Sequence, residues 1–222
     1  MQWSKCSSHL KYSAHQTYSR RQEMSIKIKS TKVFRNLPCG HAQFFDKNAD
    51  GSPGHCASVH GYDRHVEITF AGTPDEMGWI VAFGDATKPI KKFLEYYFDH
   101  VTVLPANDPR LEDIPQELTQ PGQVLGTLRV LPSGVSMEMS SMFIWEHVNN
   151  YVYNITDTRC WVERVRVYEH ERNDAMCEVD EETARKSAIQ AMANWSKGDL
   201  LPEKPVWDWE APSTAIRRLE GE

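Results

Sequence analysis

The sequence predicts an α+β fold, and three observations carry that prediction. Val66, Ile68 and Phe70 alternate with Glu67 and Thr69, which is the period of a half-buried strand. Ile90, Phe93, Leu94 and Tyr97 recur at helical spacing, and a second, largely apolar helix follows from Met137 to about Asn150. From Arg159 to Glu171 strand character returns.

Taken in order, the elements begin with a strand. Between Ser25 and Phe34 the apolar Ile26 and Ile28 alternate with Lys27 and Lys29 before Val33 and Phe34, and the strand leads into His41. The run from Asp46 to Gly54 is dense in turn formers and reads as a loop. Its aspartates invite a calcium reading, but the remaining EF-hand oxygen positions and the closing glutamate are missing, so a solvated loop is expected. After the Val66–Phe70 strand, Gly78–Phe83 is a short apolar run bounded by glycines, expected to be a buried strand paired with its predecessor. Asp85 or Thr87 can cap the first helix, Pro89 belongs in its first turn, and it ends near Asp99 and His100.

A polar, proline-bearing stretch from Pro105 to Gly126 precedes a short apolar segment at Leu128–Leu131, and Ser136 then caps the second helix. The methionines of that helix read as packing material. In the last strand, alternation puts Val165, Val167 and Glu169 on one face and Cys160, Val162 and Tyr168 on the other. A third helix is expected over Glu181–Trp195.

Composition narrows the class. With 222 residues the chain is most simply one domain with appendages, and no apolar run approaches membrane-spanning length. A net charge of -6, with basic residues scattered among acidic ones, argues against a grip on nucleic acid. Five cysteines form an odd count without framework spacing, so reduced thiols in the cytoplasm are expected. Residues 1–24, with four basic residues and no acid before Glu23, share some features of a transit peptide but are expected to be a disordered extension, with Met24 an alternative start. The main domain is then expected over 25–175, and a helix with an irregular tail, docked by Trp207 and Trp209, over 176–222.

The chemistry is expected where Cys56 and His60 stand four positions apart at a loop-to-strand junction. Strand alternation groups His60, Tyr62 and Arg64 on one face and sends His65 to the other. Cysteine and histidine are preferred zinc ligands, and a catalytic zinc keeps three protein ligands and one open position. The pair alone is a weak pointer, since such a cysteine is more commonly a small core residue. The order of the surrounding landmarks adds the weight.

Those landmarks are His41, then Cys56 with His60, Gly61 and Tyr62, then Gly78–Phe83, Asp99 with His100, Ser136 to Glu138, and Val165, Val167 and Glu169. In this order the chain resembles the 6-pyruvoyl-tetrahydropterin and 6-carboxytetrahydropterin synthase family over about Ile26–Glu169. The resemblance implies the tunnelling fold, an antiparallel sheet with two helices on one face. It implies a zinc lyase acting on 7,8-dihydroneopterin triphosphate, in the carboxytetrahydropterin branch that feeds 7-deazaguanine and queuosine synthesis. Alternatives are the pyruvoyl branch and a non-catalytic pterin- or purine-binding protein. By resemblance His41 and His60 ligate zinc, Cys56 is the general base, Asp99 orients the proton relay His100, Glu169 binds the pterin ring donors and Glu138 helps close the pocket. It also implies a homo-oligomer with pockets between subunits. Two positions depart from the family pattern. Tyr62 replaces a zinc histidine, and tyrosine with an ordinary pKa near ~10 is a poorer ligand. The third ligand then falls to His55, with a Tyr62 phenolate as the other candidate and loss of the metal as the remaining one. Ala82 stands where the family has aspartate before Phe83.

Overall fold

The computed structural model describes residues 27–194, so the expected extension at 1–24, Ile26 and the tail bearing Trp207 and Trp209 lie outside the described residues. A six-stranded sheet runs in the order β4-β3-β1-β2-β5-β6. Its strands are β1 (Ile28–His41), β2 (His60–Gly72), β3 (Val101–Pro105), β4 (Thr127–Leu131), β5 (Cys160–His170) and β6 (Asn173–Glu178). The helices are α1 (Thr87–Phe98), α2 (Met137–Ile155) and α3 (Glu181–Asn194). The class is α+β, as the sequence predicts.

Pairing is antiparallel from β1 through β2 and β5 to β6, while β3 joins β1 parallel and β4 joins β3 parallel, which makes the sheet mixed. Sequence alternation does not reveal β3, because all five of its residues are buried and no polar beat marks a second face. Packed against the sheet, Ile90 and Leu94 of α1 and Ile144 and Val148 of α2 meet Val66, Ile68, Phe70, Val165 and Val167 in one core. The expected boundary at 175/176 falls inside β6, and α3 buries Ala184 and Ala188. Asn149 couples these parts: its amide donates to the Ala184 carbonyl (2.9 Å), and its oxygen accepts the Val162 N–H (3.0 Å). No helix among the described residues is long and apolar enough to cross a membrane.

Two bulges set which side chains face the helices. In β1, Phe34 pairs with Val66 and Leu37 with Arg64, so three steps on one strand match two on the other, and Asn36 absorbs the excess at φ 61°. Leu37, Cys39 and His41 therefore join Phe34 on the core face. In β5, Val162 pairs with Phe70 and Val165 with Ile68, again three steps against two. This corrects the expected alternation, because Cys160 and Val162 lie on the same face as Val165 and Val167, all fully buried.

The expected strand at Gly78–Phe83 is not one. Both edges of β2 are already taken by β1 and β5, so no ladder is open to it. Instead the Asp75 carboxylate accepts the N–H groups of Met77 (3.0 Å) and Trp79 (2.8 Å), and Ile80 and Val81 enter the core from a turn. The start of α1 also differs. Ala86 holds the cap position without a side-chain bond, while Thr87 donates to the Phe83 carbonyl and Asp85 pairs with Lys88. Ser136 caps α2 as expected, accepting the Met139 N–H at 3.2 Å.

Candidate active site

Directly opposite each other at the paired ends of β1 and β2 stand His41 and His60, with ring centroids 4.3 Å apart. His41 is only 2% exposed, and burial, helped by the Arg64 guanidinium and by His60, holds its pKa down to about 3. It is neutral near neutral pH and its lone pair is free. His60 places Nδ1 2.8 Å from the Ser58 carbonyl, which assigns the proton to Nδ1 and leaves Nε2 as the ligand-competent nitrogen.

From β5, Glu169 reaches the same face, with Oε1 3.8 Å from His41 Nε2. That contact is too long for a hydrogen bond, and with His41 neutral it is not an ion pair. One donor atom from each of His41, His60 and Glu169 lies within 4.8 Å of the others, and His41 Nδ1 is buried without a partner. Two imidazoles and a carboxylate converging without a hydrogen bond among them fit a divalent cation, which can take a lone pair from each.

The remaining predicted residues divide. The Tyr62 ring lies 6.0 Å from His41 and 5.7 Å from His60 between centroids, and its phenol pKa is raised by burial and by the charges of Glu169 and Cys56. His55 sits 6.3 Å from His60 between centroids, outside the convergent group. Cys56 is half-buried in a 3-10 turn, His55–Ala57, just ahead of β2. Asp99 accepts from His100 Nδ1 at 2.6 Å, and His100 is held at φ 53° by its N–H bond to the Pro38 carbonyl (2.7 Å). His100 borders a cavity of about 530 Å³ together with Gly40, Gly61, Asp63 and Thr102, residues that alternation turns away from His41 and His60. The dyad does not join the group in which His41, His60 and Glu169 converge. Glu138 is exposed in the first turn of α2 and makes no ion pair among the described residues.

Three supporting residues escape the sequence reading. Asp46, in the loop expected to be merely solvated, accepts the Cys56 N–H through Oδ2 (2.8 Å), while the Cys56 carbonyl accepts the Gln43 N–H (2.7 Å). At Gly54 any Cβ would stand 2.1 to 2.7 Å from the Asp46 carboxylate, so this approach requires glycine. Arg110 clamps the far end of the turn by donating to the Ala57 carbonyl (2.6 Å), itself braced by the buried Asp108. An Asp within a glycine- and proline-rich run just before a candidate nucleophile is the signal that could have found the first of these. Arg64, 1% exposed, breaks the apolar alternation of β2 and ties it to α2 through Ser140 Oγ (2.9 Å) and the Val135 carbonyl (3.1 Å).

A mixed sheet with helices packed against it, and two histidines converging with a carboxylate, make an α+β fold that carries a candidate metal site. Residues 30–182 match the model of the 6-pyruvoyl tetrahydropterin synthase family, and the chain belongs to that family. Its fold is the tunnelling fold. Among solved structures it is similar to an uncharacterised protein from Wolinella succinogenes, at TM-score 0.58 and 14% identity over 70% of this chain and 100% of that one. A 6-pyruvoyltetrahydropterin synthase from Plasmodium vivax aligns at TM-score 0.49 and 16% identity, over 69% of this chain and 99% of that one. No curated protein matches the sequence.

Proposed function

We propose that the chain is a zinc-dependent lyase that converts 7,8-dihydroneopterin triphosphate to 6-carboxy-5,6,7,8-tetrahydropterin, a step toward 7-deazaguanines such as queuosine. Membership of a pterin-processing family supports the class, and the convergence of His41 and His60 at the paired strand ends, with Glu169 reaching the same face, is the observation that carries the reading. A zinc ion, when bound, supplies Lewis acidity to the substrate's side-chain hydroxyls. Cys56, fixed by Asp46 and Gln43 through its backbone, is the base that takes a proton from the side-chain carbon. Asp99 holds the His100 imidazole by Nδ1 and leaves Nε2 to move a proton at the neighbouring centre. The resemblance gives the pterin 2-amino and ring N–H donors to Glu169, with Glu138 beside it.

Because the dyad is not among the groups that converge at His41, a complete site calls for a second copy of the chain to bring its dyad to the histidines. That supports a homo-oligomer with pockets between subunits. The reading is tested by supplying the substrate to Cys56→Ala and wild-type protein and identifying products by mass. Carboxypterin with acetaldehyde and released triphosphate from the wild type, and a loss of about 100-fold or more in the variant, are expected. A pyruvoyl pterin would move the chain to the other branch. No turnover by the wild type would leave a pterin-binding protein, the outcome that Tyr62 in a ligand position favours.

A further inference from the structure

We propose that the metal is held by two histidines and one carboxylate, His41, His60 and Glu169, in place of a third ligand from Tyr62 or His55. The inference deepens the lyase reading by naming the ligand set of its site, and it takes Glu169 away from the pterin ring. Among the described His, Cys, Asp and Glu side chains, Glu169 is the one whose donor atom joins those of both histidines within 4.8 Å. His55 and Cys56, the neighbours in sequence, do not.

Two separate irregularities of the sheet produce this convergence. Were β1 to pair regularly from Phe34 onward, with Asn36 taken into the ladder, His41 would point to the face opposite His60. Without the bulge between Val162 and Val165, Glu169 would do the same. Bulges re-aim side chains at functional sites, and here both re-aim a metal-ligating type at the same point. The Oε1 to Nε2 separation of 3.8 Å is close to the tetrahedral edge of about 3.3–3.6 Å expected for ligands roughly 2.0–2.2 Å from one zinc ion. His41 is 2% exposed and its Nδ1 has no partner, so the imidazole was not buried there to satisfy a protein hydrogen bond. Charge argues the same way. Arg64 is buried on this face with no carboxylate paired to it among the described residues, and a divalent ion beside it needs an anionic ligand more than a third neutral one.

The test is metal binding by the full-length chain, measured without substrate. Protein stripped with a chelator is titrated with Zn(II) and separately with Co(II), whose visible absorption reports its ligands. The wild type is expected to take one ion per chain. Glu169→Gln, nearly isosteric, is expected to weaken zinc binding by more than the about 10–100-fold that loss of an outer-shell partner costs. His55→Ala is expected to bind as the wild type does. Tyr62→His combined with Glu169→Gln is expected to recover binding through three histidines, which also shows that the fold tolerates the change. Wild-type zinc affinity and an unchanged Co(II) spectrum in Glu169→Gln would overturn the proposal, and so would loss of the ion in His55→Ala alone. A Glu169→Gln protein that keeps its metal but shows a raised KM would return the carboxylate to the pterin ring. Metal bound through Glu169 in a wild type with no turnover would instead sink the lyase reading and leave this assignment standing.

Discussion

Burial of His41 has a consequence for acid stability. Its folded pKa of about 3 lies below the ordinary histidine value of 6.5, so the unfolded chain takes up the proton first. The stability it contributes is complete above pH ~6.5 and is lost as pH falls toward its folded pKa. Urea unfolding of metal-free protein should therefore show a midpoint that drops between pH 7 and pH 4, and His41→Gln should flatten that part of the profile. Equal slopes in the two proteins would contradict it. Asp46 is the other residue whose role is local and measurable. Loss of its bond to the Cys56 N–H should cost about 1.5–3 kcal/mol of stability in Asp46→Ala, with slower alkylation of Cys56 by iodoacetamide, and Asp46→Asn should recover most of both. Unchanged alkylation in Asp46→Ala would refute the positioning role.

At the scale of the elements, the bulge in β1 decides which face carries His41. Inserting one alanine between Leu37 and Pro38 adds a step that β2 does not match, and the strand then either slips or turns Cys39 and His41 outward. The expected result is a folded but less stable protein without tight zinc binding, checked by circular dichroism and metal content. Retained tight binding would contradict the account. The same bulges explain what could be read from the chain. Alternation correctly revealed β2 because Val66, Ile68 and Phe70 run in one register, and helical spacing revealed α1 and α2. It misjudged Cys160 and Val162, because an inserted residue that reverses the facing leaves no signature in a period-2 pattern. Gly78–Phe83 failed for a different reason: its composition suits a strand, but whether a neighbouring edge is free is a property of the whole sheet.

On the scale of the molecule, the meeting of His41 with His60 was legible because they lie at the ends of strands whose order the motif preserves. That Glu169 faces the histidines was not, since it depends on the register of β5 against β2 across about a hundred residues of sequence. Nor was the separation of Asp99 and His100 from the group that converges at the histidines. That separation predicts complementation between defective subunits. Cys56→Ala and His100→Ala proteins, each inactive alone, should regain activity when mixed under conditions that exchange subunits, because some pockets then combine an intact cysteine with an intact dyad. A mixture that stays inactive, while exchange is shown by mass, would place the whole site within one chain.

The lyase account is tested most directly by turnover of dihydroneopterin triphosphate with zinc-loaded and chelator-stripped protein side by side. Carboxypterin formed by the loaded protein, abolished by stripping and restored by zinc, is the predicted result. Equal turnover in the presence of chelator, or no product from fully loaded protein, would contradict it.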